Sequence, residues 1–171
     1  MYWIDLPASA RLAIMPRPRA GDWLDDEIAG WRGQGIDVIV SLLEAGEVAD
    51  LGLQREAGLC HDVGMEFISF PFPDRGLPAA TREARALAAG IATRLNEGKA
   101  VALHCRAGIL CSSLIAACVL VLLGMAPGTA FDLIGKARGL KVPDTEGQRD
   151  WVERFRDAAA TSGIVWPETR P

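Results

Sequence analysis

The residues with the most chemical potential stand in one short run, His104-Cys105-Arg106-Ala107-Gly108-Ile109-Leu110-Cys111-Ser112. A thiolate is a strong nucleophile, but an ordinary cysteine has a pKa of roughly 8.5 and is mostly protonated at neutral pH. Successive backbone N–H groups curled toward one point form an anion nest, and a helix N-terminus adds its positive end. A cysteine at the head of such a loop ionises readily, with a pKa of ~3.5–7.5. The same N–H groups would hold the oxygens of a phosphate. Gly108 lets the backbone come close, and Ser112 can cap the following helix and hydrogen-bond the thiolate.

The flanking elements place this run at a strand-to-helix junction. Lys99 to His104 reads as a buried strand, and a long apolar helix follows from about Ser112. Upstream, Tyr2–Ile4 and Arg11–Met15 read as a hairpin-like pair of strands. A helix runs on to Gly33, with Asp22 as its N-cap and Asp25, Asp26 and Glu27 at its positive end. Ile36–Leu43 and Met65–Phe70 are two more strands, with one or two short helices between them. A proline-rich loop, Pro71–Pro78, leads to a helix from about Ala79 to Asn96. Helices near Gly128–Arg138 and Glu146–Ala160 close the chain, and a loose tail is expected from about 161.

Strands alternating with helices, with continuous apolar strands, argue a single α/β domain over 1–171. Its central, mostly parallel sheet carries helices on both faces. In such sheets ligands bind where strands end and helices begin. Both chemically suggestive segments, Phe70–Leu77 and His104–Ser112, follow strand ends.

The pattern His104-Cys105-x-x-Gly108-x-x-x-Ser112 resembles the signature of the cysteine-dependent protein tyrosine and dual-specificity phosphatases, HC-x5-R-[ST]. Phe72-Pro73-Asp74-Arg75-Gly76 is similar to that family's mobile acid loop, with Asp74 31 residues before Cys105. Val142-Pro143-Asp144-Thr145-Glu146-Gly147-Gln148 resembles the segment whose glutamine positions the hydrolytic water. The resemblance covers roughly Arg11 to Phe155 and is strongest to small bacterial relatives of the cyclin-kinase-associated phosphatases. It implies a phosphatase-like fold and a two-step displacement. Cys105 would attack phosphorus, Asp74 would act as general acid and then base, and Gln148 would orient water, with His104 in support. The loop amides of Arg106, Ala107, Gly108, Ile109, Leu110 and Cys111 would stabilise the equatorial oxygens. It implies no cofactor and no metal, and a phosphorylated protein or small phosphoester as partner.

The chain departs from that pattern at two adjacent positions. Cys111 stands where the family has arginine, and Leu110 where it usually has glycine. Arginine suits that place because its planar fork binds two phosphate oxygens and stays charged. Losing such a donor costs roughly 10³–10⁵ in rate. Leu110 also bends the loop if that glycine holds a φ that leucine tolerates poorly. Four readings follow: a pseudophosphatase with weak or no hydrolysis, an altered loop from an ordinary phosphatase parent, a thiol redox pair of Cys105 and Cys111, or a plain interaction module.

Simpler readings stand beside these roles. Cys105 could be a buried strand-end cysteine, Asp74 a turn residue after Pro73, His104 a core histidine, and Gln148 a solvated helix residue. Cys118 reads as packing, and Trp23, Trp31 and Trp151 as core. Cys60-His61 lacks a second pair at ligand spacing. The chain has 171 residues, half of them hydrophobic, with a net charge of −4 and a pI near 5.2. No basic stripe favours nucleic acid. The run Leu114–Ala126, thirteen residues, is too short to span a membrane. The N-terminus shows no signal-peptide pattern, and the cysteines no disulfide framework, so a cytoplasmic protein with reduced thiols is expected.

Overall fold

The computed structural model describes residues 1–6, 10–73, 76–143 and 145–160. Asp74, Arg75, Asp144 and the expected tail from 161 lie outside them. Among the described residues, apolar and β-branched segments form five strands: β1 (Tyr2–Trp3), β2 (Arg11–Pro16), β3 (Val38–Ser41), β4 (Glu66–Ser69) and β5 (Ala100–Cys105). They make one sheet in the order β1-β2-β5-β3-β4. β1 runs antiparallel to β2, and every other pairing is parallel. β5 is the centre, buried along its whole length, with Cys105 opposite Pro16 of β2 and His104 opposite Ser41 of β3.

Among the described residues, seven α-helices cover the sheet: α1 (Leu24–Gly33), α2 (Ala45–Asp50), α3 (Glu56–Asp62), α4 (Thr81–Asn96), α5 (Leu110–Leu122), α6 (Pro127–Arg138) and α7 (Glu146–Ala160). The expected α/β architecture is the one observed. Successive side chains of a strand point to opposite faces. Val101, Leu103 and Cys105 therefore join the layer built with α4 to α7, while Ala100 and Ala102 join the layer built with α1 and α3. His104 is turned toward this second layer, where Trp31 of α1 and Glu56 of α3 meet it.

α5 is buried from Cys111 to Leu122, packed among α4, α6 and α7. That matches the unbroken apolar run that predicts a buried helix. Among the described residues, no helix is long and apolar enough to cross a membrane. The strand that ends at Cys105 is anchored at its other end. Asp37 accepts the Ala100 N–H at 2.9 Å and an Arg32 Nη1 at 2.7 Å. The Ala100 amide, aided by Arg32 and opposed by partial burial, holds the Asp37 carboxyl below its ordinary range.

Three local expectations are corrected. Asp22 is no N-cap: Gly21–Trp23 forms a 3₁₀ turn, α1 starts at Leu24, and neither start has a side-chain cap. Trp23 is not core but 58% exposed, stacked under the Arg19 guanidinium, whereas Trp31 and Trp151 are buried. The helix after the cysteine loop starts at Leu110 rather than Ser112.

Burial predicts a sharp contrast between two leucines. Leu120→Ala, at 0% exposure in α5, should lower unfolding free energy by about 2–5 kcal/mol. Leu140→Ala, at 46% exposure, should stay within about 0.5 kcal/mol. Urea unfolding of both variants checks this.

Candidate active site

β5 stops at Cys105 and α5 begins at Leu110, so four residues make the connection. The loop rests against the end of β2, because Pro16 and Cys105 are register partners. Gly108 has φ +66°, and a Cβ there would lie 2.3 Å from the Met15 carbonyl carbon and 2.4 Å from the Pro16 nitrogen. Only glycine fits between the loop and that strand end. Its N–H donates to Cys105 Sγ at 3.2 Å, and its carbonyl accepts from Arg138 Nε at 3.1 Å. Arg138 also stacks over the Tyr2 ring at 4.2 Å, which ties the C-terminal end of α6 to both β1 and the loop.

Cys105 is 3% exposed, yet its pKa is lowered to about 5. The largest cause is a hydrogen bond from the Cys111 thiol. Burial opposes ionisation, and the amide and hydroxyl of Ser112 and the Ile109 amide favour it. Ser112 Oγ lies 3.6 Å from the sulfur. Cys111 Sγ is also 3.9 Å from the Pro73 carbonyl oxygen. A thiol has one proton to give, and a thiolate is a stronger acceptor than a carbonyl at that distance, so the Cys105 contact prevails once Cys105 ionises. Among the groups with the largest influence on this sulfur, none is a cation.

The other expected residues divide clearly. His104 is wholly buried, its Nε2 2.9 Å from Glu56 Oε1 and its ring 6.3 Å from Trp31. The two atoms are close, but the ring is not aligned for a hydrogen bond. His104 thus lies behind the loop, turned to the sheet face opposite Cys105. Arg106 is exposed and lies 3.6 Å from Glu47, so it does not stand in for a pocket arginine. Ala107 is exposed, and Ile109 and Leu110 are half-buried. Leu110 starts α5, so its backbone is helical and a bent loop is not needed to fit it. Ser112 meets the sulfur as expected, but it sits inside α5 and does not cap it.

Gln148 is 3% exposed, which corrects the reading of it as a solvated helix residue. Its Nε2 has no hydrogen-bond partner among the described residues. Phe72 is 4% exposed and meets Phe70 edge-on. This brings Pro73 to Cys111, and the Gly76 N–H donates to Pro73 O at 2.8 Å. The expected acid, Asp74, lies outside the described residues, but its described neighbours Pro73 and Gly76 are held at the start of α5.

Cys105, its pKa lowered and loop amides turned onto its sulfur, thus lies at the C-terminal end of the central strand, where ligands of such sheets bind. The sequence profile of the family described as "Tc-R-P: Polymorphic toxin system, DSP-PTPase phosphatase" matches residues 13–125, which include the whole loop. The chain belongs to this phosphatase family. Rat cyclin-dependent kinase inhibitor 3 is 27% identical over 131 residues, covering 75% of this chain and 61% of that protein. The chain thus spans under two thirds of the length of this curated relative. The crystal structure of kinase associated phosphatase, with its catalytic-site cysteine changed to serine, shares the fold at TM-score 0.84 and 22% identity. The match covers 93% of this chain and 94% of that one. The human tyrosine phosphatase-like serine/threonine/tyrosine-interacting protein matches at TM-score 0.70 and 16% identity, over 93% and 97%.

Three parts of this phosphatase-family site escape sequence reading. Glu56 reaches His104 from α3, Arg138 reaches Gly108 from α6, and Met15-Pro16 press on Gly108 from β2. Each contact joins distant segments. The only local hints are a basic residue in the last turn of α6 and a glycine in the signature.

The lowered thiol predicts a pH profile. Alkylation of Cys105 by iodoacetamide should rise with a midpoint near pH 5, because the thiolate forms there. Ser112→Ala should move the midpoint upward, since it removes a donor. Linkage has a matching sign: the thiolate's share of stability is complete above the unfolded value of about 8.5 and is lost as pH falls through the folded value. A wild-type midpoint near 8.5, measured by intact mass against pH, would rule out the geometry described.

Proposed function

We propose that the loop His104–Ser112 binds phosphomonoesters and that their hydrolysis at Cys105 is strongly reduced, so that the chain is a pseudophosphatase or an altered active-site variant. The observation that carries this reading is the sulfur's surroundings. Its ionisation is supported by thiol, hydroxyl and amide donors, and no cation ranks among them. Neutral donors are enough to form the nucleophile and to bind a ground-state oxyanion. They do not supply the charge that balances a phosphoryl transition state.

In the reaction, the Cys105 thiolate attacks phosphorus and the ester oxygen leaves. Asp74 protonates that oxygen. A cysteinyl-phosphate results, with the loop amides on its three oxygens. Water, deprotonated by Asp74 and oriented by Gln148, then displaces the cysteine. Support for Gln148 comes from its buried amide with an unused donor. Support for Asp74 comes from the placement of Pro73 beside Cys111. The substrate class is a phosphorylated protein or a small phosphoester in the cytoplasm. The acidic balance, with net charge −4, argues against nucleic acid.

An aryl-phosphate assay tests this. Leu110→Gly with Cys111→Arg should exceed the unaltered protein by roughly 10³–10⁵-fold in turnover. Cys105→Ser in that double variant should abolish the gain. Turnover of the unaltered protein equal to the double variant's would overturn the proposal.

A further inference from the structure

Beside the cysteine loop, the chain leaves a concavity of about 390 Å³ between the start of α2, the segment after β4 and the start of α4. Its walls are apolar, built by Phe70, Phe72, Pro73 and Pro78. Phe72 and Pro78 are buried, and the half-buried Phe70 meets the Phe72 ring edge-on. Two acidic residues complete the lining: Glu44, which precedes α2, and Glu83, in the first turn of α4. Both are exposed, and neither makes an ion pair among the described residues. Glu47 in the first turn of α2 differs, because it accepts the Glu44 N–H and lies 3.6 Å from Arg106. Pro73 joins the concavity to the cysteine loop, its carbonyl oxygen 3.9 Å from Cys111 Sγ.

We propose that this concavity binds a lysine or arginine side chain of a phosphorylated protein segment whose phosphoresidue occupies the cysteine loop. Such side chains have a long apolar stem and a charged head. The stem matches walls of phenylalanine and proline, and a cation is attracted to an aromatic face. The head reaches the exposed carboxylates of Glu44 and Glu83. An acidic side chain would be repelled there, and an apolar one would leave both charges unanswered. The volume lies within the range of ligand sites, roughly 300–1,000 Å³. An extended segment advances about 3.3 Å per residue, so a basic residue a few positions from the phosphoresidue spans from the loop past Pro73. The net charge of −4 also favours encounter with a basic partner.

This inference rests on the phosphate reading of the loop, and not on phosphoester turnover. It narrows the substrate class from any phosphoester to a phosphoprotein with a basic residue near its phosphate. A small phosphoester has nothing to place between Glu44 and Glu83.

The test is fluorescence anisotropy of the reduced, full chain with labelled alanine-based peptides, in a phosphotyrosine and a phosphoserine series. One lysine is moved through the positions on either side of the phosphoresidue. Each peptide has a twin with norleucine, which keeps the stem and lacks the charge. At one or more positions the lysine peptide should bind roughly 3- to 10-fold tighter than its twin, the gain expected of two exposed ion pairs. Added salt should shrink the difference. Glu44→Gln with Glu83→Gln should bring lysine and norleucine peptides to equal affinity, while tungstate binding, which also reports a folded loop, stays unchanged. Equal affinity of the twins at every position in the unaltered protein overturns the proposal. So does a lysine preference that survives in the double variant. A norleucine peptide bound more tightly than its lysine twin assigns an apolar occupant and overturns it too. If the unaltered protein does not bind tungstate, the phosphate reading fails, and a lysine preference abolished by the double variant still upholds the basic-side-chain pocket.

Discussion

A negative charge on a buried sulfur must be balanced where it sits, and most of this site follows from that requirement. β5 delivers Cys105 to the carboxyl edge of the sheet at 3% exposure, where an isolated thiolate would be costly. The balance comes from the chain that follows. Gly108 turns its amide onto the sulfur, Ser112 brings a hydroxyl, and the first turn of α5 brings its unused N–H groups. These donors converge only because the loop lies flat against Met15 and Pro16, which leave no space for a side chain at position 108. Arg138 braces the outer side of the loop through the Gly108 carbonyl.

The substitution at position 111 divides two tasks that one arginine would perform together. Ionising the cysteine needs donors, and the Cys111 thiol is a donor. Stabilising charge as it spreads over a phosphoryl group needs a permanent cation, and a thiol is not one. On the proposed reading, a loop with Cys111 forms its nucleophile with neutral donors and has no cation at that position.

The sheet and its helices were largely legible in the sequence, because β3, β5 and α5 are buried on all sides and so are written as unbroken apolar runs. The cysteine loop was legible too, since the nucleophile, the glycine and the serine lie within eight residues of one another. Features that depend on contact between distant segments were not. Nothing around Glu56 announces that it ends under His104, and nothing around Arg138 announces Gly108. Trp23 misled because a large aromatic residue at a helix start suggests core, whereas here it lies flat on the surface beneath Arg19. Gln148 misled in the other direction, because a polar residue in a charged helix suggests solvent and this one is buried.

The central claim is that this loop holds an oxyanion by neutral donors alone. Calorimetric titration of the reduced, unaltered protein with tungstate, beside Cys111→Arg, tests it most directly. The account predicts saturable 1:1 binding to the unaltered protein, tightened roughly 10- to 100-fold when the arginine supplies a charged hydrogen bond. Binding that appears only in Cys111→Arg, or equal affinity in the two proteins, would contradict it.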